Sequence, residues 1–109
     1  MPAALALWND VAADTSADKL LRDLASLEWA LHQIDGGDPA LVAARLAPLA
    51  MADNPWHPLA EEAQAMLALR QGKNAEARDT LKRLAQDVTT PEGVRRRANG
   101  LLAELGGEP

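Results

Sequence analysis

The feature that most restricts the fold of this chain is an internal repeat with a period of 35 residues. Glycines recur at this interval, at Gly37, Gly72 and Gly107. A small residue precedes each of them by seven positions, and these residues are Ala30, Ala65 and Gly100. A fixed period of this length is typical of chains in which one small structural unit is copied and stacked on itself.

Each unit has the pattern of two helices. In 17–35, leucine and isoleucine recur at alternating steps of four and three residues, which predicts an amphipathic helix. The apolar spacing of 39–50 returns in 75–87, and it also occurs near the amino end at an offset of 38, at Ala4, Trp8, Val11 and Ala12. The chain has 23 alanines, 18 leucines and no tyrosine or phenylalanine, a composition that favours helix over strand. We therefore predict an all-α fold, an α-solenoid of about six helices in stacked helix–turn–helix pairs.

The repeat divides a single domain, 1–109, into partial and complete units. Residues 1–13 form the second helix of a partial repeat, 17–50 and 55–88 are complete repeats, and 91–105 form a C-terminal capping helix. The predicted helices of the complete repeats are roughly 17–35, 39–50, 56–71 and 75–87. Because the first predicted helix has no partner before it, we expect the chain to be a fragment of a longer protein.

Proline and glycine mark the ends of these helices. A capping side chain precedes a proline at Asp38-Pro39, Asn54-Pro55 and Thr90-Pro91, which predicts three helix starts with proline at the first helical position. Gly36-Gly37, Gly72 and Gly106-Gly107 predict helix ends in which glycine takes a positive φ. Pro48 predicts a kink or an early end of its helix. The small residues at the repeated mid-helix position predict a close approach of a neighbouring backbone.

Residues that carry chemistry are sparse. His32 and His57 lie on different predicted helices without a second metal ligand near either, and no nucleophile motif surrounds the two serines. Glu61 and Glu62 point to different sides of one helix and cannot form a carboxylate pair. We expect no catalytic residues, no metal site, no cofactor and no enzymatic activity; the alternative is an enzyme or metal protein built on the histidines and acids.

Charge argues against nucleic acid as a partner, because the chain has a net charge of −5 and such binders are usually basic. The run Arg95, Arg96 and Arg97 is interpreted as a solvated helix face on which Glu92 pairs with Arg96; the alternative is a binding site for an acidic partner. No apolar run reaches the ~18 residues of a membrane helix, and the chain contains no cysteine.

The segment RQGKNAEARDTLKRLA, 70–85, resembles the turn and second helix of tetratricopeptide repeats, with departures at Val42 and in the missing aromatic residues of the first helix. The stretches LHQIDGGDPALVAARLAPLA and NPWHPLAEEAQAMLALRQGKNAEAR are similar to the C-terminal half of a bacterial family, the ancillary subunit of the Sec translocon or cell-division coordinator. The resemblance implies a parent protein in the bacterial inner membrane, with an N-terminal anchor that this chain lacks. It places the repeat domain on the periplasmic side, and this chain alone would be soluble.

The resemblance also implies a protein or peptide partner, bound on the concave face made by the first helix of each pair. Its binding positions fall on Leu27, Leu31, Asp35, Glu62, Met66, Arg70, Arg97, Leu101 and Leu105. This lining is apolar at one end and charged at the other, so we expect an amphipathic helix or an extended apolar peptide. The alternative is that Leu27 and Leu31 belong to the core.

The amino-terminal helix suggests a second role. Its apolar face, Leu5, Trp8 and Ala12, would be partly open without a first helix to cover it. We therefore expect either a missing upstream segment or self-association through this end. A structural self-assembly domain forming homo-oligomers is thus the alternative to an interaction module for other proteins.

Overall fold

A computed structural model describes residues 2–14 and 18–105, and in these ranges the chain is helical without a strand. The six α-helices are α1 (Pro2–Ala13), α2 (Lys19–Gln33), α3 (Pro39–Leu46), α4 (His57–Arg70), α5 (Asn74–Gln86) and α6 (Glu92–Glu104). A short 3₁₀ turn, Pro48–Ala50, follows α3. The predicted all-α fold with six helices is confirmed, and the observed helix ends lie within a few residues of the predicted ones.

The helices pack in the order in which they follow one another along the chain. Each helix contacts the next, and α4 in addition contacts both α2 and α6. The first helices of successive pairs, α2, α4 and α6, are therefore neighbours, and α3 and α5 lie beside them. The molecule measures 45 × 29 × 19 Å, an elongated shape that suits a stack of helix pairs better than a closed bundle.

The core consists of two clusters that repeat one another. The first cluster joins α2, α3 and α4 through Leu27, Ala30, Ile34, Val42, Leu46, Leu49, Ala60, Ala63 and Leu67. The second cluster joins α4, α5 and α6 through Ala65, Ala68, Ala77, Leu81, Leu84, Val94 and Ala98. Five pairs between them are 35 residues apart: Ala30 and Ala65, Val42 and Ala77, Leu46 and Leu81, Leu49 and Leu84, and Ala63 and Ala98. The period seen in the sequence is thus the period of the core.

The small residues at the repeated mid-helix position have two different environments. Ala30 and Ala65 are buried, with 0% and 1% of their surface exposed, as expected where another helix approaches closely. Gly100 is exposed, and a Cβ placed on it would meet nothing within 4 Å. The prediction of a close neighbour is therefore wrong for Gly100, because no other described element packs on that face of α6.

Only one of the three predicted helix starts has the predicted form. The Asp38 carboxylate accepts a hydrogen bond of 3.0 Å from the amide of Ala40, and Pro39 is the first helical residue. The predictions at Asn54-Pro55 and Thr90-Pro91 are wrong. The Asn54 side chain accepts from the amide of Trp56, 2.9 Å away, in a turn that precedes α4, and α6 begins after Pro91 without a side-chain cap.

The glycines at the predicted helix ends are required for different reasons. Gly72 has a φ of +77°, the left-handed conformation predicted for a helix end. Gly36 and Gly37 do not have positive φ, so that prediction is wrong for them; at Gly37 the requirement is space, since a Cβ would lie 2.8 Å from the carbonyl oxygen of Gln33. Gly106-Gly107 lies outside the described residues.

Pro48 ends α3 as predicted. The α-helix stops at Leu46, and Pro48 begins the 3₁₀ turn, since proline has no amide hydrogen to continue the helical bonding. None of the helices in the described ranges combines the length and the apolar character that crossing a bilayer requires.

Candidate functional site

An ion pair shows how the first helices align. Arg97 in α6 donates two hydrogen bonds to the carboxylate of Glu62 in α4, from Nε to Oε2 at 2.6 Å and from Nη2 to Oε1 at 2.9 Å. The hydrogen bonding of Arg97 to the Glu62 carboxylate raises the pKa of the Arg97 guanidinium above its ordinary value. Glu62 and Arg97 are 35 positions apart in the sequence. Equivalent positions of the neighbouring first helices α4 and α6 therefore contact each other.

A second link joins α4 to the end of α2. Nη1 of Arg70 donates to the carbonyl oxygens of Ile34, at 2.6 Å, and Gly37, at 2.8 Å. These carbonyls lie at the C-terminal end of α2, where positive charge is favourable. Arg70 therefore fixes the spacing of α2 and α4, while Asp35, the equivalent residue of the preceding repeat, stays exposed.

Between these two links lies a row of apolar side chains at equivalent positions. Leu31 is 36% exposed and Met66 is 37% exposed, and Leu101 is half-buried. Met66 and Leu101 lie one helical turn after Glu62 and Arg97, on the same face of their helices, and Leu31 has the equivalent position in α2. We name Leu31, Met66 and Leu101 the apolar row. At this level of the predicted binding face all three equivalent side chains are apolar and reach the surface.

Two of the predicted partner-binding residues cannot contact a partner. Leu27 is 1% exposed and belongs to the first cluster, because α2 is covered there by α3 and α4; its assignment to a binding face is wrong, and the alternative, a core residue, is correct for it. Glu62 is 6% exposed, and its carboxylate is occupied by Arg97. The remaining predicted positions reach the surface, although Arg97 is held in its ion pair.

The amino-terminal end carries a groove between α1 and α2. It encloses about 290 Å³ and is lined by Leu7, Trp8, Val11, Leu21, Leu24, Ala25 and Glu28. We name it the amino-terminal groove.

The predicted self-association residues are only partly covered in the structure. Leu5, Trp8 and Ala12 are half-buried, and the Trp8 ring stacks on the ring of His32 at a centroid distance of 4.7 Å. The most exposed large apolar side chains of α1 and α2 are instead Leu7, at 61%, and Leu21, at 55%. Sequence reasoning missed both because each lies outside the apolar stripe of its own helix.

Glu61 and Glu62 turn to different partners, as predicted. Glu61 accepts from Arg83 in α5 and lies 2.8 Å from Nδ1 of His57, so its charge is balanced within the molecule. Arg96 and Arg97 are exposed, as expected for a solvated helix face, but the predicted ion pair of this run is wrong. Within the described part of the chain Glu92 does not pair with Arg96; the ion pair of this helix is instead that of Arg97 with Glu62.

At the start of the loop after α5, Asp87 accepts hydrogen bonds from the hydroxyl and the amide of Thr89, and these lower the pKa of its carboxyl. Residues 2–14 and 18–105 contain no group of three or more histidine, aspartate and glutamate side chains that could hold a metal ion. The expected lack of catalytic activity remains a prediction.

Comparison of the chain with family models, curated proteins and solved structures gave no match. The geometry of the molecule itself is therefore the basis on which a function can be proposed.

Proposed function

We propose that this chain is a non-catalytic protein–protein interaction module of the tetratricopeptide type, which binds a protein or peptide along the face of its first helices. The observation that carries the proposal is the apolar row. Three partly exposed apolar side chains recur at the same position of three adjacent helices, and the two levels on either side carry charged groups. Apolar side chains at the centre with polar groups around them are the usual composition of a protein-binding surface.

The dimensions of the apolar row limit the ligand. Packed helices lie about 8–10 Å apart, so three of them place the ends of the row about 16–20 Å apart. An extended peptide of about five or six residues covers that distance, and so does a helix of about 11–13 residues. The ligand should carry apolar side chains along one face, with polar groups that meet Asp35 and Arg70 at the edge.

Site-specific photo-crosslinking tests the proposal. A photoreactive phenylalanine analogue at Met66 lies in the apolar row, whereas the same analogue at Val88, which is 83% exposed between α5 and α6, serves as the matched control. We expect discrete adducts from position 66 in cells expressing the parent protein, and their loss when Leu31→Glu is added. Identical adduct patterns from both positions would refute the proposal.

The family resemblance extends the proposal to the parent protein. By that resemblance the module acts on the periplasmic side of a bacterial inner membrane, close to the translocon, and is attached through an anchor in the parent. Fusions of the parent protein to alkaline phosphatase and to a cytoplasmic fluorescent reporter test this placement. Phosphatase activity supports it, and fluorescence of the cytoplasmic reporter contradicts it.

The alternative function, self-assembly through Leu5, Trp8 and Ala12, has weaker support. These three side chains are half-buried against neighbouring elements of their own chain, so part of their surface is already covered.

A further inference from the structure

The amino-terminal groove is apolar and open. Two leucines on its walls, Leu7 and Leu21, expose more than half of their surface, while Ala25 at its base is 5% exposed. Large apolar side chains gathered at one exposed site are unfavourable in water and mark binding surfaces more often than isolated ones do. The identity of the occupant follows from the repeat.

The groove is a third copy of a surface that the chain fills twice. When the lining residues of α1 are moved forward by 38 positions and those of α2 by 35, most of them coincide with residues of the core around α3 and α4. Trp8 and Val11 correspond to Leu46 and Leu49, and Ala25 corresponds to Ala60, all of which are buried in the first cluster. Leu21 and Leu24 correspond to Trp56 and Leu59, which pack against that cluster.

A helix fills this equivalent surface. The side chains of α2 that complete the first cluster are Leu27, Ala30 and Ile34, at positions i, i+3 and i+7. The small residue in the middle is 0% exposed, which indicates a close approach of the helix to the surface it covers.

The same arrangement occurs once more in the chain. Leu81, Leu84, Val94 and Ala98 are the next equivalents of Trp8, Val11, Leu24 and Glu28, and they are buried in the second cluster. Here α4 is the helix that covers them, with Ala65 at the position of Ala30 and Leu69 at that of Ile34, while Glu62 stands at that of Leu27. Two positions of the lining depart from the series. Leu7 corresponds to Arg45 and Thr80, and Glu28 gives the open groove an acidic edge where Ala63 and Ala98 lie in the filled ones.

We propose that the amino-terminal groove binds one amphipathic α-helix of a partner protein. The apolar face of that helix carries a large side chain, an alanine and a second large side chain at positions i, i+3 and i+7. The site is distinct from the apolar row, so this chain has two separate surfaces for partners. An alanine at i+3 is required because a larger side chain there would hold the helix away from the groove.

A peptide from the chain itself is the probe. The sequence 19–35, fluorescein-labelled and blocked at both ends, carries the face that fills the equivalent surface within the fold. We expect saturable binding to the 109-residue chain in fluorescence polarisation, with a gain of helicity in circular dichroism. The peptide with Leu27→Asp and Ile34→Asp should not bind, and Ala30→Leu should bind more weakly.

Variants of the full chain locate the binding site. Leu21→Glu places a charge on the groove wall and should weaken peptide binding roughly tenfold or more. Leu41→Glu is the matched control, since Leu41 is a leucine of α3 with 60% exposure outside the groove lining, and it should leave the affinity unchanged. Met66→Glu, in the apolar row, should also leave it unchanged, which separates this proposal from the proposed function.

Three outcomes would overturn the proposal. The first is a lack of saturable binding by the wild-type peptide, and the second is an equal loss of affinity in Leu21→Glu and Leu41→Glu. The third comes from sedimentation of the chain alone: a dimer that Leu21→Glu dissociates would show that a second copy, and not a partner helix, fills the groove. A chain that sediments as a monomer and binds the peptide through Leu21 supports it.

Discussion

Replacing Gly100 with alanine should stabilise the protein. The residue lies inside α6, where alanine is about 1 kcal/mol more favourable than glycine because glycine loses more backbone freedom on folding. The added methyl group meets no obstacle, since nothing lies within 4 Å of the Cβ position. The position is exposed, so no burial term opposes the gain, and the free energy of unfolding should rise by about 0.5–1 kcal/mol.

Urea denaturation followed by circular dichroism measures this change. With a slope of about 1–3 kcal/mol per molar urea, the midpoint should rise by about 0.2–1 M, and the melting temperature should rise by a few degrees. Two controls should move the other way. Ala65→Val fills a position that is 1% exposed and should cost about 1–3 kcal/mol. Gly72→Ala forces a Cβ into a φ of +77° and should cost about 1–2 kcal/mol.

A loss of stability in Gly100→Ala would refute the reasoning. It would mean that this face of α6 is covered in solution, as the equivalent faces of α2 and α4 are, and that the described helices do not show every contact of the repeat.

Three further predictions test the core, the ion pair and the pH response. Leu81→Ala removes a side chain that is 0% exposed and should lower the free energy of unfolding by about 2–5 kcal/mol in urea denaturation. Arg97→Ala leaves the carboxylate of Glu62 buried without its partner and should lower the free energy of unfolding by about 1–3 kcal/mol. Glu62→Leu should lower it less, because the half-exposed arginine can turn to water. Urea denaturation of both variants measures the difference. The pKa of the Asp87 carboxyl lies below its ordinary 3.8 because of its hydrogen bonds from Thr89. The ionised carboxylate therefore stabilises the fold above pH 3.8, and this stabilisation is lost as the pH falls through the folded pKa. In Thr89→Val the pKa should rise toward 3.8, which a carboxyl ¹³C titration measures.

The repeat and the helices could be predicted because both depend on spacing along the chain. Apolar residues at steps of three and four define a helix face, and glycine and proline mark its ends, so a period of 35 residues is visible without coordinates. The helix starts near Asn54 and Thr90 were predicted less well. A polar residue before a proline can close a turn as easily as it caps a helix, and the choice depends on contacts of that turn with distant residues: Trp56, for example, donates from Nε1 to the carbonyl oxygen of Leu20.

The candidate site could be predicted only in part. A sequence places Leu27 and Leu31 on one side of α2, but which of the two remains exposed depends on how deeply α3 and α4 cover that side, which is a property of the packed molecule. The partner of Glu62 was missed for a similar reason. Arg97 lies 35 residues away, and this distance indicates contact only after the stacking of α4 on α6 is known.

The two ends of the helix stack differ in chemistry, and this difference bears on self-assembly. In α6 the equivalents of Leu27, Ala30 and Ile34 are Arg97, Gly100 and Glu104, so the face that would meet a following helix pair has no large apolar side chain. The amino-terminal groove is apolar, and in each filled copy the entering helix supplies at least one such side chain, Leu27 and Ile34 from α2 and Leu69 from α4. The face of α6 therefore cannot fill the groove of a second copy, and head-to-tail assembly by this route is unfavourable. The same difference favours a partner helix of another sequence over a second copy of this chain.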